Sequence, residues 1–219
     1  MRRMLAAIVL LALTTAARAQ PPVAVVEDVQ GKVTGAEFMD YVVPGQVIKL
    51  GPGSSVVLSY MKSCWRETIS GVGTVIVGTE ESAVHLAEFK AGKVPCDPTQ
   101  TEHVAKEVGE SAATVVRSLK DGPQPPLLML HGLSPVVAVS DRGKLIVDRI
   151  DLKGEHYEVD LAKAALMRGK FYDFARANTA LKPGGVYAAT LKSKRIVFQV
   201  AADADSGAGP IVGRLVSLQ

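Results

Sequence analysis

Apolar and polar positions alternate with a period of two through most of the first ninety residues. The stretch Val42 to Gly78 carries the pattern most clearly: Ile48 and Leu50 alternate with Val47 and Lys49, and Val56, Leu58 and Tyr60 alternate with Ser55, Val57 and Ser59. Such spacing predicts short strands buried mainly on one face. Pro44-Gly45 and Gly51-Pro52-Gly53-Ser54 punctuate them. Gly accepts a positive φ without steric cost and Pro presets φ, so both pairs predict tight turns. The same reading places strands at Val23–Val29, Phe38–Val43, Thr74–Gly78 and Ser82–Phe89, with a turn at Ala91-Gly92-Lys93. Short strands at roughly ten-residue spacing predict an all-β sandwich, barrel or roll.

After Pro98 the period changes. Val104, Val108, Ala112, Val115 and Leu119 recur at steps of three and four, predicting an amphipathic helix over Thr101–Leu119, with Thr101 as N-cap and Arg117 and Lys120 at the far end. Asp121-Gly122-Pro123-Gln124-Pro125-Pro126 ends it and predicts a stiff connector. Beyond it, strands are expected at Leu127–Leu130, Val136–Val139, Leu145–Ile150, His156–Leu161, Val186–Leu191, Arg195–Val200 and Ile211–Leu218. Lys182-Pro183-Gly184-Gly185 is the strongest turn of this half, and Ala201–Gly209 reads as a loop. The economical architecture is mainly β: a β domain over 20–98, a linking helix and Pro-rich segment over 99–126, and a second small sandwich of immunoglobulin-like type over 127–219.

The first nineteen residues predict a different kind of segment. Arg2-Arg3, the apolar run Met4–Leu13 and Ala17-Arg18-Ala19 match the three regions of a secretory signal peptide. The run is about half of the roughly 20 residues a membrane span needs. Its removal changes the charge argument: the chain of 219 residues carries a formal +3, and Arg2, Arg3 and Arg18 lie in the leader. The remainder is near neutral, so a basic nucleic-acid-binding surface is not expected. A soluble protein of the periplasm or outside the cell is expected, with no membrane span after cleavage.

That compartment bears on the two cysteines, Cys64 and Cys96. A pair in an oxidising environment reads as a disulfide. The alternative is a metal site drawing on His103, but two thiols and one His without C-x-x-C spacing make a weak ligand set. No metal or other cofactor is expected. Gly51-Pro52-Gly53-Ser54-Ser55 lacks the lysine of a phosphate loop, Gly71-x-Gly73 lacks a third glycine, and no Gly-x-Ser-x-Gly elbow occurs. The four histidines, His85, His103, His131 and His156, are widely spaced and read as surface or strand residues. Tyr60 and Trp65, beside Cys64, are a possible binding surface for a sugar, against the plainer reading of Trp65 packed near a disulfide. A carbohydrate-active hydrolase would need two carboxylates about 5–10 Å apart, with Glu67, Glu80 and Glu81 as candidates. A structural stalk, with helix and prolines as spacer, is the third reading. A non-enzymatic binding or scaffold protein is the leading one.

One resemblance sharpens it. The series Val29-x-Gly31-x-Val33, then Gly45-Gln46-x-Ile48-x-Leu50-Gly51-x-Gly53-Ser54-x-Val56-x-Leu58, resembles the FecR-like periplasmic domain. The likeness covers about a quarter of the chain. Tyr60-Met61-Lys62-Ser63-Cys64 stands where that pattern has an Asp-Gly-type turn, so register beyond Tyr60 is open. More weakly, Leu181-Lys182-Pro183-Gly184-Gly185-x-Tyr187 and Phe198-Gln199-Val200 resemble the sandwich that follows such domains in some exported proteins. The resemblance implies a periplasmic sensing or scaffold module recognising an envelope protein or polysaccharide. FecR relays its signal through a membrane span that this chain lacks, so a signalling role would require a membrane-bound partner.

Overall fold

A computed structural model describes residues 20–102, 104 and 127–218. The expected leader, most of the expected helix and the proline connector lie outside the described residues. Gln100–Glu102 and Val104 are helical.

The alternating residues of the first half form two facing antiparallel sheets. One has the order β3 (Tyr41–Val42), β1 (Ala24–Gln30), β5 (Ser55–Tyr60), β6 (Trp65–Ser70), β9 (Glu88–Lys93). The other runs β2 (Val33–Thr34), β4 (Val47–Leu50), β7 (Gly73–Ile76), β8 (Ala83–His85). Val26, Val56, Leu58, Tyr60 and Ile69 from the first meet Ile48, Leu50 and Val75 from the second in one core. Gly31 shows why its turn needs glycine: φ is +73°, and a Cβ there would lie 2.8 Å from Ser54 Oγ.

The second half is also a β sandwich. Its larger sheet has the order β10 (Leu128–Gly132), β16 (Lys194–Asp205), β15 (Val186–Leu191), β12 (Lys144–Arg149), β13 (His156–Asp160). The smaller is β14 (Phe171–Asp173), β11 (Val136–Val139), β17 (Leu215–Leu218). Leu130, Val137, Leu145, Phe174, Tyr187, Phe198 and Val216 fill the space between. The pairs β10–β16 and β11–β17 are parallel, and the remainder antiparallel.

Four expectations change in detail. The single strand over Ser82–Phe89 divides into β8 and β9, because Leu86 sits at φ +68° and breaks the extended run. Its expected turn at 91–93 belongs instead to β9. The loop expected over 201–209 begins only after Asp205, since β10 pairs with β16 as far as Gly132–Asp205. The terminal strand starts late: Ile211–Arg214 is a 3₁₀ turn leading into β17.

The two halves meet along a seam with small cores of its own. Met39 joins Val136, Ala138, Met167, Phe171, Ile211 and Leu215, while Val25, Met61 and Cys96 pack with Val212. Hydrogen bonds cross beside them: Gln100 Nε2 donates to the Leu215 carbonyl at 2.8 Å, and Asp97 Oδ2 accepts from the Met129 N–H at 2.7 Å. Arg168 reaches back to Asp40 at 2.6 Å and Glu37 at 2.7 Å.

Candidate functional site

The seam contains buried charge, and a bulge explains how it gets there. Val26 pairs with Leu58 and Asp28 with Val57, so Glu27 is the extra residue on β1. A bulge re-aims one side chain without ending the strand. Glu27 turns to the seam, where Oε1 accepts the Val212 N–H at 2.9 Å and Oε2 accepts Arg66 Nε at 2.8 Å. The first lobe thus supplies a hydrogen-bond acceptor to the 3₁₀ turn of the second.

A second pair lies opposite. Arg214, only 3% exposed, donates Nη1 to Asp173 Oδ1 at 2.7 Å and to the Ser134 carbonyl at 2.8 Å, and Nε to the Gly209 carbonyl at 3.1 Å. Asp173 Oδ1 also accepts the Ala175 N–H at 3.0 Å. Such saturation is what makes a buried ion tolerable. Arg176, mostly exposed, approaches Asp173 only to 3.9 Å.

These groups line a cleft of about 500 Å³, whose apolar walls include Phe38, Met167, Pro210 and Ile211. Three arginines, Arg66, Arg176 and Arg214, face two carboxylates, Glu27 and Asp173. The carboxylates are committed to structural bonds, and the open Arg176 guanidinium is the cation most available to a visitor. An apolar groove with an exposed guanidinium suits an anionic group carried on a less polar body.

The residues expected from sequence lie elsewhere. Cys64 and Cys96 are joined, with Cα atoms 5.6 Å apart, and tie the β6 entrance to the segment after β9. Tyr60 and Trp65 do not form one surface. Tyr60 is fully buried, its hydroxyl 2.8 Å from Ser82 Oγ and accepting the Gly78 N–H at 3.2 Å. Burial pushes that hydroxyl up to about 12. Trp65 is half-buried, with Lys93 Nζ 4.9 Å from its ring centroid, and borders a hollow of about 490 Å³ with Gly78, Thr79, Glu80 and Glu81.

Of the three candidate carboxylates, Glu80 and Glu81 line that hollow, and Glu80 pairs with Lys62 at 3.3 Å. Glu67 lies inside the first lobe. Its Oε1 accepts the Ser82 N–H at 2.9 Å, and Oε2 has no hydrogen-bond partner. Burial raises its pKa, against the opposing hydrogen bonds from Ser82. Among the described residues no group of three His, Cys, Asp or Glu is placed to hold a metal, and no helix is long and apolar enough to cross a membrane.

Sequence reasoning missed the seam residues. The available signal was a charge inside an apolar strand: Glu27 in Val25-Val26-Glu27-Asp28-Val29 and Arg214 in Ile211-Val212-Gly213-Arg214-Leu215. Charges so placed are seldom buried without a partner. No family model, curated protein or solved structure matches the chain.

Proposed function

We propose that this is an exported, non-enzymatic binding or scaffold protein of the cell envelope, whose seam cleft receives an anionic group of a partner protein or envelope polymer. One observation carries the reading. The buried carboxylates of the cleft are held by Arg66, Arg214 and backbone N–H groups, while Arg176 stands open above an apolar wall. That arrangement offers binding and fixes its own acids in place.

Several features support the assignment. The sequence of the first lobe resembles the FecR-like pattern, whose glycines would serve tight turns, and here Gly31, Gly45 and Gly53 have positive φ. In the second lobe Tyr187 is buried and its hydroxyl accepts the Lys182 N–H at 2.9 Å, closing the Lys182–Gly185 turn as an immunoglobulin-like sandwich would use it. A disulfide suits the periplasm or the cell exterior. Under this reading signalling runs through a membrane-bound partner.

The test is a panel of glycan, ester and peptide substrates offered to the purified protein. No turnover is expected above that of a Glu67→Gln, Glu80→Gln, Glu81→Gln triple variant. Turnover abolished by one such substitution would place the protein among the hydrolases instead.

A further inference from the structure

The cleft between the lobes carries one positive charge that its own acids leave uncompensated: Arg66, Arg176 and Arg214 line it with only Glu27 and Asp173. Arg214 is fully committed, its Nε, Nη1 and Nη2 going to Gly209, Ser134 and Asp173. Arg66 uses Nε alone, on Glu27 Oε2 at 2.8 Å, and its two Nη groups have no hydrogen-bond partner among the described residues. Arg176 approaches Asp173 only to 3.9 Å, beyond hydrogen-bond distance, with 67% of its side chain exposed. Asp173 is satisfied without it, because Arg214 Nη1 and the Ala175 N–H hold its Oδ1 at 2.7 and 3.0 Å. The spare donors are therefore two guanidinium groups, one on β6 of the first lobe and one just after β14 of the second. The wall beside them is apolar and fixed in place. Phe38 belongs to the first lobe, and Arg168 of the second donates Nη1 to its carbonyl at 2.9 Å. Met167 and Ile211 belong to the seam core against which Phe38 packs.

We propose, taking this cleft as the recognition site, that it captures the C-terminal carboxylate of a partner polypeptide whose last residue is apolar. The Arg176 fork takes the carboxylate, Arg66 adds positive charge from the other lobe, and the last side chain lies against Phe38, Met167 and Ile211. Charge selects the group: a carboxylate supplies the one negative charge required, whereas a phosphate monoester brings about 1.5 to 2. Shape agrees, since a planar carboxylate meets a guanidinium in a bidentate pair. A chain end holds its carboxylate and its side chain on one carbon, so charge and apolar surface reach adjoining walls together. An acidic sugar has the charge without the apolar side chain. A fatty acid has a long alkyl chain, which a cleft with five charged residues among its twelve lining residues receives poorly. The volume of about 500 Å³ lies within the roughly 300–1,000 Å³ of small-ligand sites and accommodates a chain end.

The test is fluorescence anisotropy of a short dye-labelled peptide, ending in leucine with a free carboxylate, titrated with the disulfide-intact protein. Dissociation constants of about ten to a few hundred micromolar are expected for a ligand of this size. The same peptide with a C-terminal amide should bind at least about tenfold more weakly. Arg176→Glu should lose about tenfold or more, and Arg176→Lys should keep part of the affinity, because the charge stays while the fork goes. Phe38→Ser should remove the preference for a final leucine over a final glycine and leave the preference for acid over amide. Equal binding of acid and amide, equal binding of an amide-ended peptide with an internal aspartate, or an affinity indifferent to Arg176→Glu would each overturn the proposal. Inorganic phosphate or a polyuronic acid that binds through Arg176 while the peptide does not would overturn it and leave the cleft an anion site. No Arg176-dependent binding of peptide, phosphate or polyuronic acid would remove the cleft reading as well.

Discussion

Glu67 sits fully buried between Trp65 and Ile69 along β6, one oxygen bonded to the Ser82 N–H and the other without a partner. Desolvation favours the neutral acid, and the pKa is raised accordingly. The native state therefore holds its proton above the unfolded value of about 4.3. The stability this contributes is complete below that value and is lost as pH rises through the raised folded value. Glu67→Gln keeps the shape and removes the titration. Its melting temperature relative to the unsubstituted protein should climb between pH 4 and pH 7. A difference that stays flat over that interval would mean the fold does not raise the Glu67 pKa. None of this was legible in Trp65-Arg66-Glu67-Thr68-Ile69, where a glutamate looks like any solvated charge. The parity of β6 turns it inward, and parity depends on pairings with β5 and β9.

At the scale of elements, alternation and glycine turns revealed β4, β5 and β7, whereas β6 over Trp65–Ser70, where register had been left open, was not placed. The Val186–Leu191 and Lys194–Asp205 hairpin was visible because its strands are neighbours in sequence. Other hidden features depend on distant partners. β16 runs on to Asp205 because β10 lies beside it, and small polar residues alone give no such sign. The bulge at Glu27 is likewise set by β5. The disulfide was readable from the cysteine count together with the expected export to an oxidising environment. It closes a loop spanning 32 positions, for which the chain-entropy model gives about 3–4 kcal/mol. Cys64→Ser with Cys96→Ser should lower unfolding stability by roughly that amount in chemical denaturation. Reduction of the unsubstituted protein should do the same. No change in either would make the bond idle.

Across the whole molecule, the seam joins two lobes that sequence reading had separated by a linker. Met39 packing against Phe171 and Ile211, and Glu27 accepting from Val212, are contacts between residues more than a hundred positions apart. Local pattern carries no record of them. The buried Arg214–Asp173 pair is expected to matter most. Arg214→Met alone strands a buried carboxylate and should cost about 3–5 kcal/mol, whereas Arg214→Met with Asp173→Leu should recover at least half of it. Equal losses in the single and double variants would show that side-chain packing, not charge, sets the contribution of Arg214. The same arginine-lined seam is the surface to which recognition is assigned. The most direct measurement is equilibrium binding of the purified protein to isolated envelope polymer and to solubilised envelope proteins. Saturable binding is predicted, falling at least about tenfold in Arg176→Glu while the melting temperature holds. Equal affinity of Arg176→Glu and the unsubstituted protein for every fraction would contradict a role for the cleft.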